Sequence, residues 1–259
     1  MVTFKEQLYA WRGVIFALFL RELQSKFNDK FGLSWAFFEP ILFILILSIL
    51  RGRLTGGDVH SIPIFIFMMV GLMGLQSFTK IFQGVSTSIK KNKPLYAFRQ
   101  VQPITSAVTS GFLELIIKAI VGVLLALATY LLGMSFSLND PLLFLFLCFN
   151  LGLLSFALGL IFAVGSAFVP ETDKIKALMT RPLMFISCVF FSLQDIPQAY
   201  WHFFTWNPLV HFNELVRYSF FESYGDQGVS LSYLVKFTFL SLFLSLSMYH
   251  ITWKKVLSR

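Results

Sequence analysis

Apolar residues run through this chain in long blocks, and the polar residues between them are clustered. From Phe31 to Leu50 the sequence reads FGLSWAFFEPILFILILSIL, and between Leu33 and Leu50 the only ionisable residue is Glu39, followed at once by Pro40. At ~1.5 Å per helical residue this run is roughly long enough to cross hydrocarbon. Comparable runs near Ile62 to Phe78, Ala107 to Gly133, Pro141 to Phe168, Ala177 to Leu193 and Leu231 to Trp253 bring the predicted membrane helices to six. A proline inside the first predicts protein neighbours or water around the carbonyl it frees, because lipid cannot satisfy a backbone group.

Ahead of these runs, Phe4, Leu8, Trp11, Ile15, Leu18 and Phe19 recur at helical spacing, with Lys5, Glu6, Arg12, Arg21 and Glu22 on the polar side. That pattern predicts an amphipathic helix lying in the membrane interface, or else packed on its own bundle. The stretch from Gln194 to Gly228 is too aromatic for a plain loop and is broken by Pro197 and Pro208. It reads as a re-entrant or interfacial segment before the last span. The fold class is therefore an all-α polytopic membrane protein. Residues 1–32 form an interfacial helix and lead-in, and 33–259 a six-span domain with a cytoplasmic loop at 79–106 and an external segment at 194–228.

Composition narrows the class further. With 259 residues, 56% hydrophobic and 13% charged, and a mean hydropathy of +0.73, a soluble domain is excluded. The net charge of +8 is dispersed between apolar runs and forms no continuous face, which argues against nucleic acid. It sorts instead by side: Lys5, Arg12, Arg21, Lys26 and Lys30, then Lys80, Lys90, Lys91, Lys93 and Arg99, then Lys174, Lys176 and Arg181, then Lys254, Lys255 and Arg259. The positive-inside rule places all of these, and both termini, in the cytoplasm. Cys148 and Cys188 lie in apolar runs and read as small hydrophobes. His60, His202, His211 and His250 lack ligand spacing, so no metal is expected. There is no glycine-rich phosphate loop, so any ATP must be hydrolysed by a partner.

Within the third span Glu114 and Lys118 stand four residues apart, in the order that favours pairing on one helix face. Intramembrane charges are costly and face a bundle interior or a wet path. The pair is a candidate for ordering that span beside a conduit, or for a purely structural role.

Two segments resemble a known family. RELQSKFNDKFGLSWAFFEP and, later, WNPLVHFNELVRYSFF are similar to segments of the membrane subunits of polysaccharide-exporting ABC transporters, most of all the capsular-polysaccharide permeases of Gram-negative bacteria. The resemblance implies an inner-membrane subunit that pairs with a second copy of itself and with a separately encoded ATPase carrying ATP and Mg. It implies also periplasmic export components and a lipid-linked polysaccharide passing between the two copies. On that reading Trp35, Phe37, Phe38 and Glu39 flank the cytoplasmic mouth, where aromatic faces suit sliding contact with sugars, and Glu114 and Lys118 continue the path. Trp201, Trp206, Asn207 and Pro208 are candidates for an external gate, Trp201 and Trp206 otherwise serving as interfacial anchors. STSIKKNKPLYAFR, with Lys90, Lys91, Lys93, Tyr96, Phe98 and Arg99, is a candidate ATPase contact, a short helix ending before Pro94 giving a rigid push. Its lysines otherwise set orientation and bind anionic headgroups. An O-antigen or teichoic-acid exporter is the alternative within the class. A proton-coupled transporter using Glu114, and a transferase using His202 or His211 with Glu214 or Asp226, are the alternatives outside it.

Overall fold

The computed structural model describes residues 4–27, 32–55, 58–60, 62–98, 101–131, 133, 138–169 and 171–258. Among the described residues eight α-helices run in order: α1 (Phe4–Phe27), α2 (Gly32–Thr55), α3 (Ile64–Lys91), α4 (Pro103–Leu131), α5 (Pro141–Phe168), α6 (Thr172–Ile186), α7 (Pro208–Phe220) and α8 (Leu231–Ser258). A two-stranded hairpin, β1 (Asp58–Val59) and β2 (Ile62–Pro63), joins α2 to α3, with Asp58 opposite Pro63 and Val59 opposite Ile62.

Among the described residues α3, α4, α5 and α8 are long and apolar enough to cross a membrane. Burial separates their roles: the apolar window of α3 is 72% buried, against 22% for α8. Helix α3 is the central post, packed by α2, α4, α5 and α7, while α8 lies on the far side of α5. The core runs along α3, with Phe78 stacked on Phe82 (centroids 5.8 Å apart) and Phe82 edge-on to Phe162 of α5 at 5.2 Å. A buried Thr238 hydroxyl donates to Asn150 Oδ1 at 2.9 Å and ties α8 to α5, the kind of interhelical polar bond that membrane bundles use.

The proline in α2 is buried, and α2 packs on α1, α3 and α4, so the protein neighbours it required are present. Helix α1 packs against its own bundle. It packs along α4 with Leu18 and Glu22 buried, leaving Trp11, Phe16 and Leu20 on the outside.

Two expectations fail. The loop expected at 79–106 is mostly helix: α3 continues to Lys91, a 3-10 turn covers Lys93–Ala97, and α4 begins at Pro103. Pro94 sits inside that turn near its start, where its missing N–H costs nothing. The run Ala177 to Leu193 is not one span either. Helix α6 stops at Ile186, Cys188 takes a positive φ of 51°, and a 3-10 turn follows at Leu193–Asp195. Fifteen residues rise only about 22 Å, short of ~30 Å of hydrocarbon.

The cause is α7. The last carbonyls of a helix lack intrahelical donors, and here α7 bonds the final carbonyl of α6 and two in the turn just beyond it. Asn207 Nδ2 donates to Ile186 O (3.3 Å), Asn213 Nδ2 to Ser187 O (2.7 Å) and an Arg217 N–H to Val189 O (3.0 Å).

Candidate functional site

At one end of the bundle α1, the C-terminus of α3 and the N-terminus of α4 converge on a buried carboxylate. Ser110 Oγ lies 2.7 and 2.8 Å from the two oxygens of Glu22, and Asn92 Nδ2 donates to Glu22 at 3.2 Å. Asn92 also receives an Arg21 N–H (3.3 Å), and Trp11 Nε1–H donates to Thr105 Oγ1 (3.0 Å). Asn92 is the C-cap of α3, so this latch fixes α1 to the point where α3 turns into the 3-10 segment. Neither Glu22 nor Asn92 stood out in the sequence. Glu22 looks like one more polar-face residue of an amphipathic helix until α4 packs over it.

The residues around that end divide. Lys90 reaches Asp173 of α6 at 3.3 Å and Lys176 reaches it at 3.0 Å. The bond from Lys176 first, and that from Lys90 after it, hold the Asp173 carboxyl below its ordinary range. Tyr96 packs into the core beneath the turn, where burial pushes its phenol up to about 12, with Ser106 alongside. Lys91, Lys93 and Phe98 are exposed. Arg99 and the side chain of Phe37 lie outside the described residues.

Trp35 and Phe38 are 60% and 58% exposed and begin a stripe continued by Leu42, Ile46 and Ile49. Spacings of three and four put these on one face of α2, the face that its own bundle leaves uncovered. Helix α6 presents Ile175, Leu178, Met179 and Phe185 likewise. Glu39, at the edge of the α2 stripe, is half exposed and lies 3.6 Å from Lys80.

Glu114 and Lys118 are not paired with each other, which corrects the sequence expectation. Glu114 forms its ion pair with Lys26 of α1, and Lys118 Nζ donates to Gln76 Oε1 of α3 at 3.2 Å. Helical spacing put both on one face, but that face meets two different helices. Gly84 makes room for Glu114: a Cβ there would lie 3.0 Å from Glu114 Cγ.

At the other end α7 is buried along almost its whole length. Arg217 Nη1 donates to Glu214 Oε1 at 3.0 Å, with both side chains at most 2% exposed. Glu214 also accepts from Leu193 N (3.1 Å) and the Tyr224 hydroxyl (2.7 Å), which sits 2.6 Å from Ser192 Oγ. The Arg217 guanidinium lies 3.7 Å from the Phe67 ring centroid. Gly71 and Gly74 of α3 admit this cluster, since a Cβ would stand 2.7 Å from Arg217 Nη2 and 2.6 Å from Asn213 Oδ1. The i,i+3 spacings of Glu214 with Arg217 and of Gly71 with Gly74 were the signals available in sequence.

The candidate gate residues separate accordingly. Asn207 caps α7, accepting from Leu209 N at 3.0 Å, and Pro208 takes the first helical position. Trp201 is half buried, donates to Ile196 O at 2.8 Å and covers Gly228, whose φ of 78° and 2.5 Å clearance tolerate no side chain. Of the four, Trp206 alone is exposed. His211 has both ring nitrogens occupied: Nδ1 accepts from Ser230 N (3.0 Å), which leaves Nε2–H to donate to Thr205 O (2.7 Å). Among the described residues no three His, Cys, Asp or Glu side chains come together as a metal-binding set.

The model of the family described as ABC-2 type transporter matches residues 13–221, a stretch that runs from α1 through the end of α7. The chain belongs to the ABC-2 type transporter family. It is 36% identical to the polysialic acid transport protein KpsM of Escherichia coli, over 90% of this chain and 91% of that one. It is 26% identical to the capsule polysaccharide export inner-membrane protein BexB of Haemophilus influenzae, over 90% and 88%. To the capsule polysaccharide export inner-membrane protein CtrC of Neisseria meningitidis serogroup A it is 24% identical, over 85% and 83%. For an ABC-2 membrane subunit, the latch at Glu22 and the buried α7 are the two features that tie its outer elements to the central helix.

Proposed function

We propose that this chain is the membrane subunit of an ATP-driven exporter that moves a lipid-linked capsular-type polysaccharide from cytoplasm to periplasm. The observation that carries the reading is likeness across nine-tenths of the chain to a polysialic acid transport protein, in a family of transporters. ATP and Mg belong to a separate ATPase subunit, which docks at the basic end, where Lys91, Lys93 and Phe98 are exposed. A push on the 3-10 turn there reaches Asn92, and through it Glu22 of α1 and Ser110 of α4. Helix α3 carries it without a break to the glycines beneath α7.

A second copy faces the α2 and α6 stripes across the conduit, with Trp35 and Phe38 offering ring faces to sugar at its mouth. Both termini lie in the cytoplasm, the protein sits in the bacterial inner membrane, and periplasmic components receive the polymer. Helix α7 is a re-entrant element of the outer half. Gly71 and Gly74, against which it lies, are seven and ten residues into α3, or ~10 and ~15 Å from its start. The pairing of Glu114 with Lys26 supports a structural role over a proton relay. The filled bonds of His211 support packing over a transferase base.

The test is affinity purification of the solubilised chain from its native cells, with partner identification and an ATPase assay. A co-purifying nucleotide-binding subunit with ATPase activity is expected, together with loss of surface polysaccharide when the chain is deleted. A chain that purifies alone, from cells whose surface polymer is unchanged by the deletion, rejects the reading.

A further inference from the structure

Between α3, α4, α5 and α7 lies a cavity of about 580 Å³, within the range of ligand sites, roughly 300–1,000 Å³. Its wall is apolar, from Met73 and Ala126 to Phe149 and Phe220, and among the described residues Lys118 is the only charged side chain on it. Lys118 is 7% exposed and stands fifteen residues into α4, ~22 Å from the start of that helix. A desolvated ammonium at that depth needs an opposite charge or full hydrogen bonding. Of its three N–H groups one donates, to Gln76. The neighbouring charges are already matched, Glu114 with Lys26 and Glu39 with Lys80. The local sum of three lysines and two glutamates therefore leaves one positive charge, at the edge of an apolar cavity.

We propose that this cavity binds an acyl chain whose anionic headgroup, a phosphate or carboxylate, pairs with Lys118. The chain lies along Met73, Ala126 and Phe149, and from Lys118 the cavity runs toward Leu138 and Phe220, at the end where the hairpin and α7 lie. With the basic end in the cytoplasm, this is the orientation of an inner-leaflet lipid, head below and tail above, raised toward mid-membrane. The site is separate from the conduit stripes of α2 and α6, and its test reads lipid contact alone. Failure of the export reading leaves it standing.

The full chain is reconstituted in phosphatidylcholine vesicles doped with phosphatidic acid, phosphatidylcholine or palmitate, each bearing the same photoactivatable group on its acyl chain. Cross-links are mapped by mass spectrometry. Labelling of Met73, Leu151 and Val216, which line the cavity away from the outer surface, by an anionic probe is expected to exceed that by phosphatidylcholine about tenfold, a difference of ~1.4 kcal/mol. Preference for phosphatidic acid assigns a phospholipid, and preference for palmitate a free acid. Lys118→Met removes the preference, Lys118→Arg keeps it, and Ala126→Phe, whose ring intrudes on the cavity, sharply reduces labelling of its buried wall by every probe. Equal labelling by all three probes means an apolar void only and overturns the proposal. So does an anionic preference that survives Lys118→Met, or, should that variant aggregate, labelling that Ala126→Phe leaves undiminished.

Discussion

Glu214 and Arg217 show what a buried ion pair demands of its surroundings. Neither side chain reaches solvent, and the remaining lone pairs of Glu214 are taken by Leu193 N and Tyr224. Removing one partner leaves an uncompensated buried charge at a cost of ~3–5 kcal/mol, whereas removing both costs less. Arg217→Met is therefore expected to lower thermal stability in detergent sharply, and Glu214→Gln with Arg217→Met to recover part of that loss. Strictly additive losses would sink the pairing account. Lys26 and Glu114 give a second test at this scale. Lys26→Glu combined with Glu114→Lys is expected to restore the stability that each single change removes, because the pair is rebuilt between α1 and α4. Glu114→Lys with Lys118→Glu restores nothing, since Lys118 belongs to Gln76. Rescue by the second combination and not the first would reverse this assignment.

Among the elements, α3 and α7 approach closely only because α3 carries glycine where α7 crosses. A side chain at position 74 would meet both Asn213 and Phe212 at 2.6 Å, and neither can retreat, Asn213 being bonded to the end of α6. Gly74→Val is expected to unseat α7 and expose the turn at Ser187 to proteolysis. Gly13 in α1 is the contrasting case. Nothing lies within 4 Å of an added Cβ, so Gly13→Ala gains helix propensity, up to ~1 kcal/mol, and raises the melting temperature slightly. If both changes proved neutral, the close approach of α3 and α7 would not exist in the membrane.

For the molecule as a whole, the proposed orientation is tested by labelling from each side. With Cys148 and Cys188 replaced by serine, cysteines are placed at Lys91 and at Tyr200, both exposed and at opposite ends of the bundle. A membrane-impermeant maleimide is expected to reach Tyr200→Cys in intact spheroplasts, and Lys91→Cys only after the membrane is opened. The reverse pattern would invert the topology and remove the docking surface from the side where ATP is found.

Much was legible before any folding. Hydropathy alone required membrane helices, because only helices and closed barrels satisfy the backbone in lipid. Most charges gather toward one end of the bundle, because a charge in hydrocarbon is costly. Pro40 announced protein neighbours, and the aromatic, Pro-broken stretch before the last span announced an element that is not a loop. Partners were not legible. Helical periodicity states which face a side chain shares, but not which helix arrives at that face. So Glu114 went to Lys26, Lys118 to Gln76, and Glu22 from an apparent surface position into a latch. The end of α6 was hidden for the same reason: an apolar run reads as continuous helix until another element offers donors to its carbonyls. The sequence by itself determined that this chain is built of apolar membrane helices, because that follows from transfer free energies summed residue by residue. Which charges pair, where α6 stops and what lines the cavity were decided only by tertiary structure, because each depends on groups distant in the chain meeting at hydrogen-bond distance.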